Sequence, residues 1–329
     1  LYIGVMAYVS RPLVTIPARL LFVAALLFAP VSHAMITEFR PDMAAGLLFA
    51  IAIVAIVSVD LSRASARRRL AVAAIAVVAT IAKPSGIVIV IPTLGLTFVF
   101  SVALRAMLGD APLVLLLRRS LLPIVAYVVL LFPFAVIWGE QTVAYIYQAL
   151  ASNADVWRTE GSRAFHWTYH YSGPGGRSAL KPFAKIGVVM ILADIVLLCI
   201  FRPRAERAGP FALYLTIAVI YIAMAQSAEK TIFQGSFFYL PFLLAAAWAV
   251  VRVLVSLRTL FMPSWGADVV LAGFVMVLAM TRPLTTSYTT MPAYTHQLPP
   301  LLETLTNQVD AFIAQRKAGP GCPERIPVI

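Results

Sequence analysis

The stretch AVVATIAKPSGIVIVIP, residues 76–92, decides how the chain is threaded. Two apolar segments meet at Lys83-Pro84-Ser85-Gly86. Proline has no amide proton and clashes with the preceding turn, and glycine weakens the helix, so one helix ends here and another begins. The apolar run before the break, 70–82, is about 20 Å long at a helical rise of ~1.5 Å per residue. Joined to the run after it, 87–105, it would make a rod too long for a hydrocarbon core of ~30 Å. The stretch therefore reads as a helical hairpin with Lys83 at its tip.

Outward from the hairpin, apolar helices recur at 15–36, 43–61, 120–138, 184–201, 209–226, 236–256 and 266–284. Most are near the ~20 residues that a membrane span needs. Their apolar residues are continuous, without the alternation of a membrane barrel. Hydrophobic residues form 61% of 329 and charged residues 12%, too few charges to clothe a soluble domain of this size. The mean hydropathy is +0.89. The expected fold is an all-α polytopic membrane protein with about nine or ten transmembrane helices. The chain opens on LYIGVMAYVS, which reads as a helix already under way, and closes on PERIPVI, which reads as a strand without a partner. Both ends read as cuts in a longer protein, an appearance that mature processing would share.

The net charge of +12 raises nucleic acid as a partner, but its distribution argues against one. The arginines sit in short clusters between apolar runs: Arg63 with Arg67 to Arg69, Arg105 with Arg118 and Arg119, Arg202 with Arg204 and Arg207, and Arg252 with Arg258. With the hairpin counted as two helices, these loops share one side with Arg11 and Arg19, the cytoplasmic side by the positive-inside rule. A single span in place of the hairpin would scatter them over both faces. Cys199 and Cys322 offer neither a disulfide nor metal spacing, and no signal-peptide pattern opens the chain.

The chemically rich segments then share the opposite face. They are Glu38 to Asp42, the Lys83 tip, the loop 139–182, the loop QSAEKTIFQG (226–235) and the tail after Thr281. The expected domains are a transmembrane part, 1–284, and the start of a small outer domain, 285–329. In the latter Leu301, Leu302, Leu305, Val309, Phe312 and Ile313 mark one face of an amphipathic helix stopped by Gly319-Pro320-Gly321.

Each candidate residue has a plain reading beside a chemical one. Asp42 follows Pro41 and suits the first turn of a helix, where an acid meets the positive end of the dipole. It also gathers with Glu38 and Arg40 at the level of the hairpin tip. Lys83 could snorkel to headgroups. A short helix would instead leave it below the surface, where it needs a partner or a wet cavity, and a phosphate suits it. In the outer loop HWTYH sets His166 and His170 four apart, which is metal-ligand spacing, but no acid follows at a telling distance. The aromatic residues around them read as an interfacial belt. Alternatively they form an acceptor-binding loop, with Arg158, Arg163 or Arg177 meeting phosphates and Glu140 as a further site acid. Asp194 lies deep in an apolar run without an obvious basic partner, and reads as hydrogen-bonded to a neighbouring helix, its burial favouring the protonated form. Asp60 and Asp268 read as interface residues.

Three segments carry a resemblance: EFRPDMAAGLLF (38–49), the hairpin stretch 76–92, and GSFFYLPFLLAAAWAV (235–250), in that order. Together they resemble the polyprenol-phosphate-sugar-dependent glycosyltransferases of the GT-C membrane fold, the superfamily of bacterial protein mannosyltransferases and aminoarabinose transferases. The resemblance implies a GT-C-like bundle in the bacterial plasma membrane. It also implies inverting transfer of a sugar from a polyprenyl-phosphate donor to a lipid, glycan or protein acceptor at the extracytoplasmic face. By the same resemblance Asp42 lies near the reaction centre with Glu38 beside it, and Lys83 binds the donor phosphate with Arg40 and Lys230 or Arg282. Tyr239 and Pro241 match a late helix start facing the acceptor side. A divalent cation is an open cofactor. The family's first outer loop, with the acid usually assigned as base, would precede Leu1, so the chain by itself is expected to be inactive.

Two other functions fit parts of the sequence. A polymerase or ligase of lipid-linked glycans would rest on Arg158, Arg163 and His166 and not require Lys83. A transporter or flippase would show paired broken helices in two related halves, and only one break is found.

Overall fold

A computed structural model describes residues 41–83, 86–109, 111–148, 162, 167–168, 181–226 and 232–260, with 19, 266, 269 and 307 as isolated positions. Among the described residues there are seven α-helices and no strand. They are α1 (Pro41–Ser58), α2 (Ala66–Ile81), α3 (Ile87–Met107), α4 (Leu113–Tyr147), α5 (Lys181–Phe201), α6 (Arg204–Gln226) and α7 (Ile232–Leu260). All belong to the first of two compact units, Leu1–Thr281, the second being Arg282–Ile329. The helices expected over 15–36 and 266–284, and the amphipathic segment of the tail, lie outside the described residues, so seven helices stand where nine or ten were expected.

Among the described residues four segments are long and apolar enough to cross a membrane: Ile87–Met107, Leu113–Tyr147, Arg204–Gln226 and Phe237–Leu257. The apolar part of α1, Ala44–Ser58, is shorter.

The break at Lys83–Gly86 separates α2 from α3 as a hairpin, and contacts at the far ends of the helices establish its direction. Arg105, in the last turn of α3, donates from Nη2 to the Val57 carbonyl at the end of α1, 3.2 Å away. Arg69, in the first turns of α2, donates from Nη1 to the Arg119 carbonyl of α4 at 3.0 Å, and Arg119 in turn donates to the Ser62 carbonyl. Gly209 of α6 lies so close to α1 that an added Cβ would stand 2.7 Å from the Val57 oxygen. The arginine-bearing ends of α2, α3, α4 and α6 thus gather with the end of α1 at one end of the bundle. Charged side chains bonded to backbone carbonyls at helix ends make that arrangement stable in a low dielectric.

α4 differs most from expectation. The helix was expected over 120–138, yet it begins at Leu113 and runs to Tyr147, so 139–147 are helical and not loop. At ~1.5 Å per residue its 35 residues reach about 52 Å. Arg118 and Arg119 do not stop it, because the Arg119 guanidinium reaches a carbonyl partner while its stem stays among apolar groups, and Arg118 is exposed. Pro123 within the helix withholds the amide that would have met the Arg119 carbonyl, and it is this carbonyl that Arg69 takes up. A helix ladder broken by proline is repaired by a neighbouring helix.

α1 packs among α2, α3, α6 and α7. Its Ala45, Ala50 and Ala52 are fully buried, as are Ala245 and Ala249 of α7, and small side chains let membrane helices approach closely. Larger buried groups, Phe49, Ile53, Phe237, Leu240 and Leu244, fill the layer between α1 and α7. α4 sits on the rim against α2 and leaves Val114, Leu121, Val128, Phe132 and Val136 exposed. Apolar side chains in such number along one helix are suited to lipid rather than water. Polar groups inside the bundle are bonded across helices: Thr216 to Thr97 at 3.2 Å, and Thr80 with Tyr127 at 2.9 Å.

Asp194 requires a correction. The expected bond to a neighbouring helix is present, since the Tyr214 hydroxyl of α6 donates to its Oδ2 at 2.6 Å. It is not without a basic partner, however: Arg252 of α7 holds Nε 3.2 Å from each carboxylate oxygen. The carboxylate is fully buried, and it is compensated by a charge 58 positions away in sequence that reads as part of a loop cluster.

Candidate functional site

α2 stops because the residues after Ile81 turn away. The Ala82 amide still donates to the Val78 carbonyl at 3.1 Å, and the Gly86 amide then closes a turn on the Lys83 carbonyl at 3.0 Å. Gly86 is needed for more than breaking a helix. A Cβ there would lie 2.6 Å from Cζ of Phe237, whose ring is buried and meets Phe49 edge-on with centroids 5.8 Å apart. The tip is pinned between α1 and α7 by the contact of Gly86, Phe237 and Phe49.

This contact sets where the sequence candidates fall. Lys83, half-buried, sits at the end of the bundle opposite the arginine clusters. Asp42 lies in the first turn of α1 at that same end, one residue after Pro41. Tyr239 is there too, but it is 5% exposed and packs edge-on against Phe238 at 5.8 Å. Pro241 was read with Tyr239 as a helix start, whereas α7 begins at Ile232 and holds Pro241 in its interior. Glu140 lies exposed towards the C-terminal end of α4. Glu38, Arg40, Arg158, Arg163, His166, His170, Lys230, Asp268 and Arg282 lie outside the described residues. The structure therefore brings Lys83 and the start of α1 to one end. Among the described residues no group of three or more His, Cys, Asp or Glu could hold a metal ion.

An apolar cavity of about 570 Å³ adjoins the tip. Its lining includes Ile81 and Ile87, which flank Lys83 in sequence on α2 and α3, and Leu131, Phe134, Trp138 and Thr142 on α4. A second apolar cavity of about 330 Å³ continues deeper between the same helices and shares Ile91 with the first. The two exist because α4 packs closely on α2 and only loosely on α3. Both are lined by apolar helix faces, and the first reaches Ile81 and Ile87, the residues on either side of the lysine-bearing turn.

The segment between α4 and α5 is anchored at one described point. Trp167 is half-buried, its carbonyl accepts from the Tyr221 hydroxyl of α6, and its ring meets the Tyr221 ring edge-on at 6.2 Å. Tyr221 in turn lies 5.3 Å from Phe238, and Phe238 stacks on Phe242 at 5.6 Å. An aromatic chain thus runs from the loop into α7. Neither Phe237 nor the groove face of α4 was legible as a site element, because both read as ordinary apolar sequence. The one available signal was the first aromatic in GSFFYLP, Phe237, facing a glycine elsewhere, which no single sequence displays.

These features define an α-helical membrane protein with a lysine-tipped hairpin beside an apolar cleft. No family model matches the chain, and no curated protein or solved structure matches it.

Proposed function

We propose that the chain is the membrane part of a GT-C-like glycosyltransferase that moves a sugar, with inversion, from a polyprenyl-phosphate donor to an acceptor at the end of the bundle opposite the arginine clusters. By the positive-inside rule that end faces outward from the cytoplasm, and a bacterial plasma membrane is the setting. The single observation that carries the reading is the apolar cleft that begins at Ile81 and Ile87, with Lys83 between them. A polyprenyl phosphate has the same two parts: a long apolar chain and one anionic head.

The chemistry follows from that match. The acceptor hydroxyl attacks the anomeric carbon from the face opposite the phosphate, forming the new glycosidic bond as the bond from carbon to phosphate oxygen breaks. The hydroxyl proton passes to a carboxylate, for which Asp42 or Glu38 is placed by sequence. The leaving phosphate gains charge, and an ammonium beside it stabilises that charge more in the transition state than before it. The low dielectric of the cleft strengthens the effect.

The test is transfer of labelled sugar from a polyprenyl-phosphate donor in membranes carrying the protein. Lys83→Ala and Asp42→Asn each lower transfer by roughly 10²–10³-fold, the range for loss of one preorganised stabilising group. Lys83→Arg retains part of the activity, because the charge is kept. Wild-type transfer by either of the first two variants refutes the proposal. Passage of the donor across sealed vesicles without reaction would establish a transporter instead.

A further inference from the structure

At the arginine-bearing end lies a cavity that the proposed reaction does not use. It measures about 340 Å³ and is lined by Arg202, Glu206, Val251, Arg252, Val255 and Ser256, where the turn between α5 and α6 meets α7. Arg252 is the residue whose Nε holds buried Asp194. Its terminal nitrogens are bonded to no described residue, and its side chain retains 23% exposure on the cavity side of the bundle's interior. Arg202 is the second cation, with 38% side-chain exposure and an ion pair to Glu206 at 3.5 Å. Arg207 donates two hydrogen bonds to the Arg202 carbonyl, at 2.9 and 2.7 Å, which fixes the turn that carries Arg202.

We infer that this cavity binds a phosphate group, and that it does so independently of any activity at the opposite end of the bundle. Three physical features support the assignment. Arg252 is held in one orientation by a carboxylate that is itself buried and further fixed by Tyr214, so its guanidinium is preorganised rather than mobile. The competing pair of Arg202 with Glu206 is exposed and four residues apart on one turn, the weakest kind of ion pair, and a dianion or phosphodiester displaces it readily. Guanidinium groups present fork-shaped donors that match phosphate oxygens. The floor of Val251 and Val255 is apolar, which suits the glycerol and upper acyl carbons of a phospholipid and adds little for a free ion. Basic pockets between helices at the cytoplasmic surface are where anionic headgroups collect.

The experiment is binding to the full chain in zwitterionic detergent, read by native mass spectrometry and by thermal shift. The probes are phosphatidylglycerol, phosphatidylcholine and inorganic phosphate. Wild type binds phosphatidylglycerol in preference to phosphatidylcholine, and Arg202→Gln weakens that binding about tenfold, the loss of one charge-assisted contact. The paired change Asp194→Asn with Arg252→Gln, which removes both buried charges together, weakens it similarly. Arg63→Gln, on an exposed arginine of the same end, leaves it unchanged. Inorganic phosphate bound with the same dependence on Arg202 supports the phosphate site and identifies a soluble ligand as its source. Equal binding by wild type and Arg202→Gln, no preference for the anionic lipid together with no phosphate binding, or an equal loss in Arg63→Gln overturns the inference. Arg202 is partly exposed, so its variant reads the site even if the paired variant does not fold.

Discussion

Gly86→Ala tests how the hairpin tip is held. The added Cβ would stand 2.6 Å from Cζ and 3.1 Å from Cε1 of Phe237, well inside van der Waals contact. Phe237 has no free room to retreat into, since it is 2% exposed and its ring is set against Phe49. Overpacking of this kind costs about 1–3 kcal/mol. The same contact predicts a coupling of unusual sign. Phe237→Ala alone leaves a cavity and costs about 3–5 kcal/mol. In the Gly86→Ala background the clash is already gone once Phe237 is truncated, so the two costs do not add, and the double variant is more stable than their sum by about 1–2 kcal/mol, within the range for residues in contact. The assay is thermal unfolding of the four proteins in one detergent. Strict additivity, or a Gly86→Ala protein as stable as wild type, would refute the claim that the tip is wedged on α7.

Three further outcomes follow from the geometry. Arg252→Gln alone strands the Asp194 carboxylate inside the bundle and lowers stability by about 3–5 kcal/mol, whereas Asp194→Leu with Arg252→Met recovers most of it; equal melting points for the single and double variants would contradict the pairing. Asp60 is partly buried, which pushes its carboxyl pKa up, but hydrogen bonds from the Ser62 hydroxyl and amide, with Arg105 and Arg63 nearby, more than offset this and hold it below the ordinary 3.8. A depressed carboxyl contributes stability above its ordinary value and loses it as pH falls through the folded value. The difference in melting point between wild type and Asp60→Asn therefore shrinks as pH falls below 3.8, and a constant difference would contradict the reading. Cysteines placed at Ser62 or Arg118 are labelled by a membrane-impermeant maleimide only after cells are opened, while one at Glu140 is labelled from outside; the reverse pattern would invert the assigned orientation.

The part of the fold set by helix breaks and charge was legible in sequence. Pro84 and Gly86 marked the hairpin, and the arginine clusters gave alternating helix directions that the contacts of Arg105, Arg69 and Arg119 reproduce. Helix ends were less legible. Arg118 and Arg119 read as loop residues because charge normally ends an apolar run, but in α4 Arg119 finds a carbonyl partner on Ser62, Arg118 stays exposed, and the helix continues. Gly139 and Glu140 likewise read as the start of a loop, although neither residue prevents helix beyond the apolar span. Long-range pairing was the least legible. Nothing near Asp194 in sequence points to Arg252, and nothing near Gly86 points to Phe237, because such partners are chosen by the packing of helices that lie far apart in the chain. Of the candidate site, the tip lysine and the acid in the first turn of α1 are named by motifs in the sequence, whereas the apolar cavities depend on how loosely α3 and α4 meet.

The central claim is that the cleft beside Lys83 holds the lipid chain of a polyprenyl phosphate. Photo-crosslinking with a polyprenyl phosphate carrying a diazirine in its isoprenoid chain tests it directly. The account predicts labelling on α3 and α4 at Ile91, Phe134 and Trp138, reduced about tenfold by Lys83→Gln as the phosphate loses its charged contact. Labelling spread over the exposed face of α4 at Val128, Phe132 and Val136, and unchanged by Lys83→Gln, would contradict it.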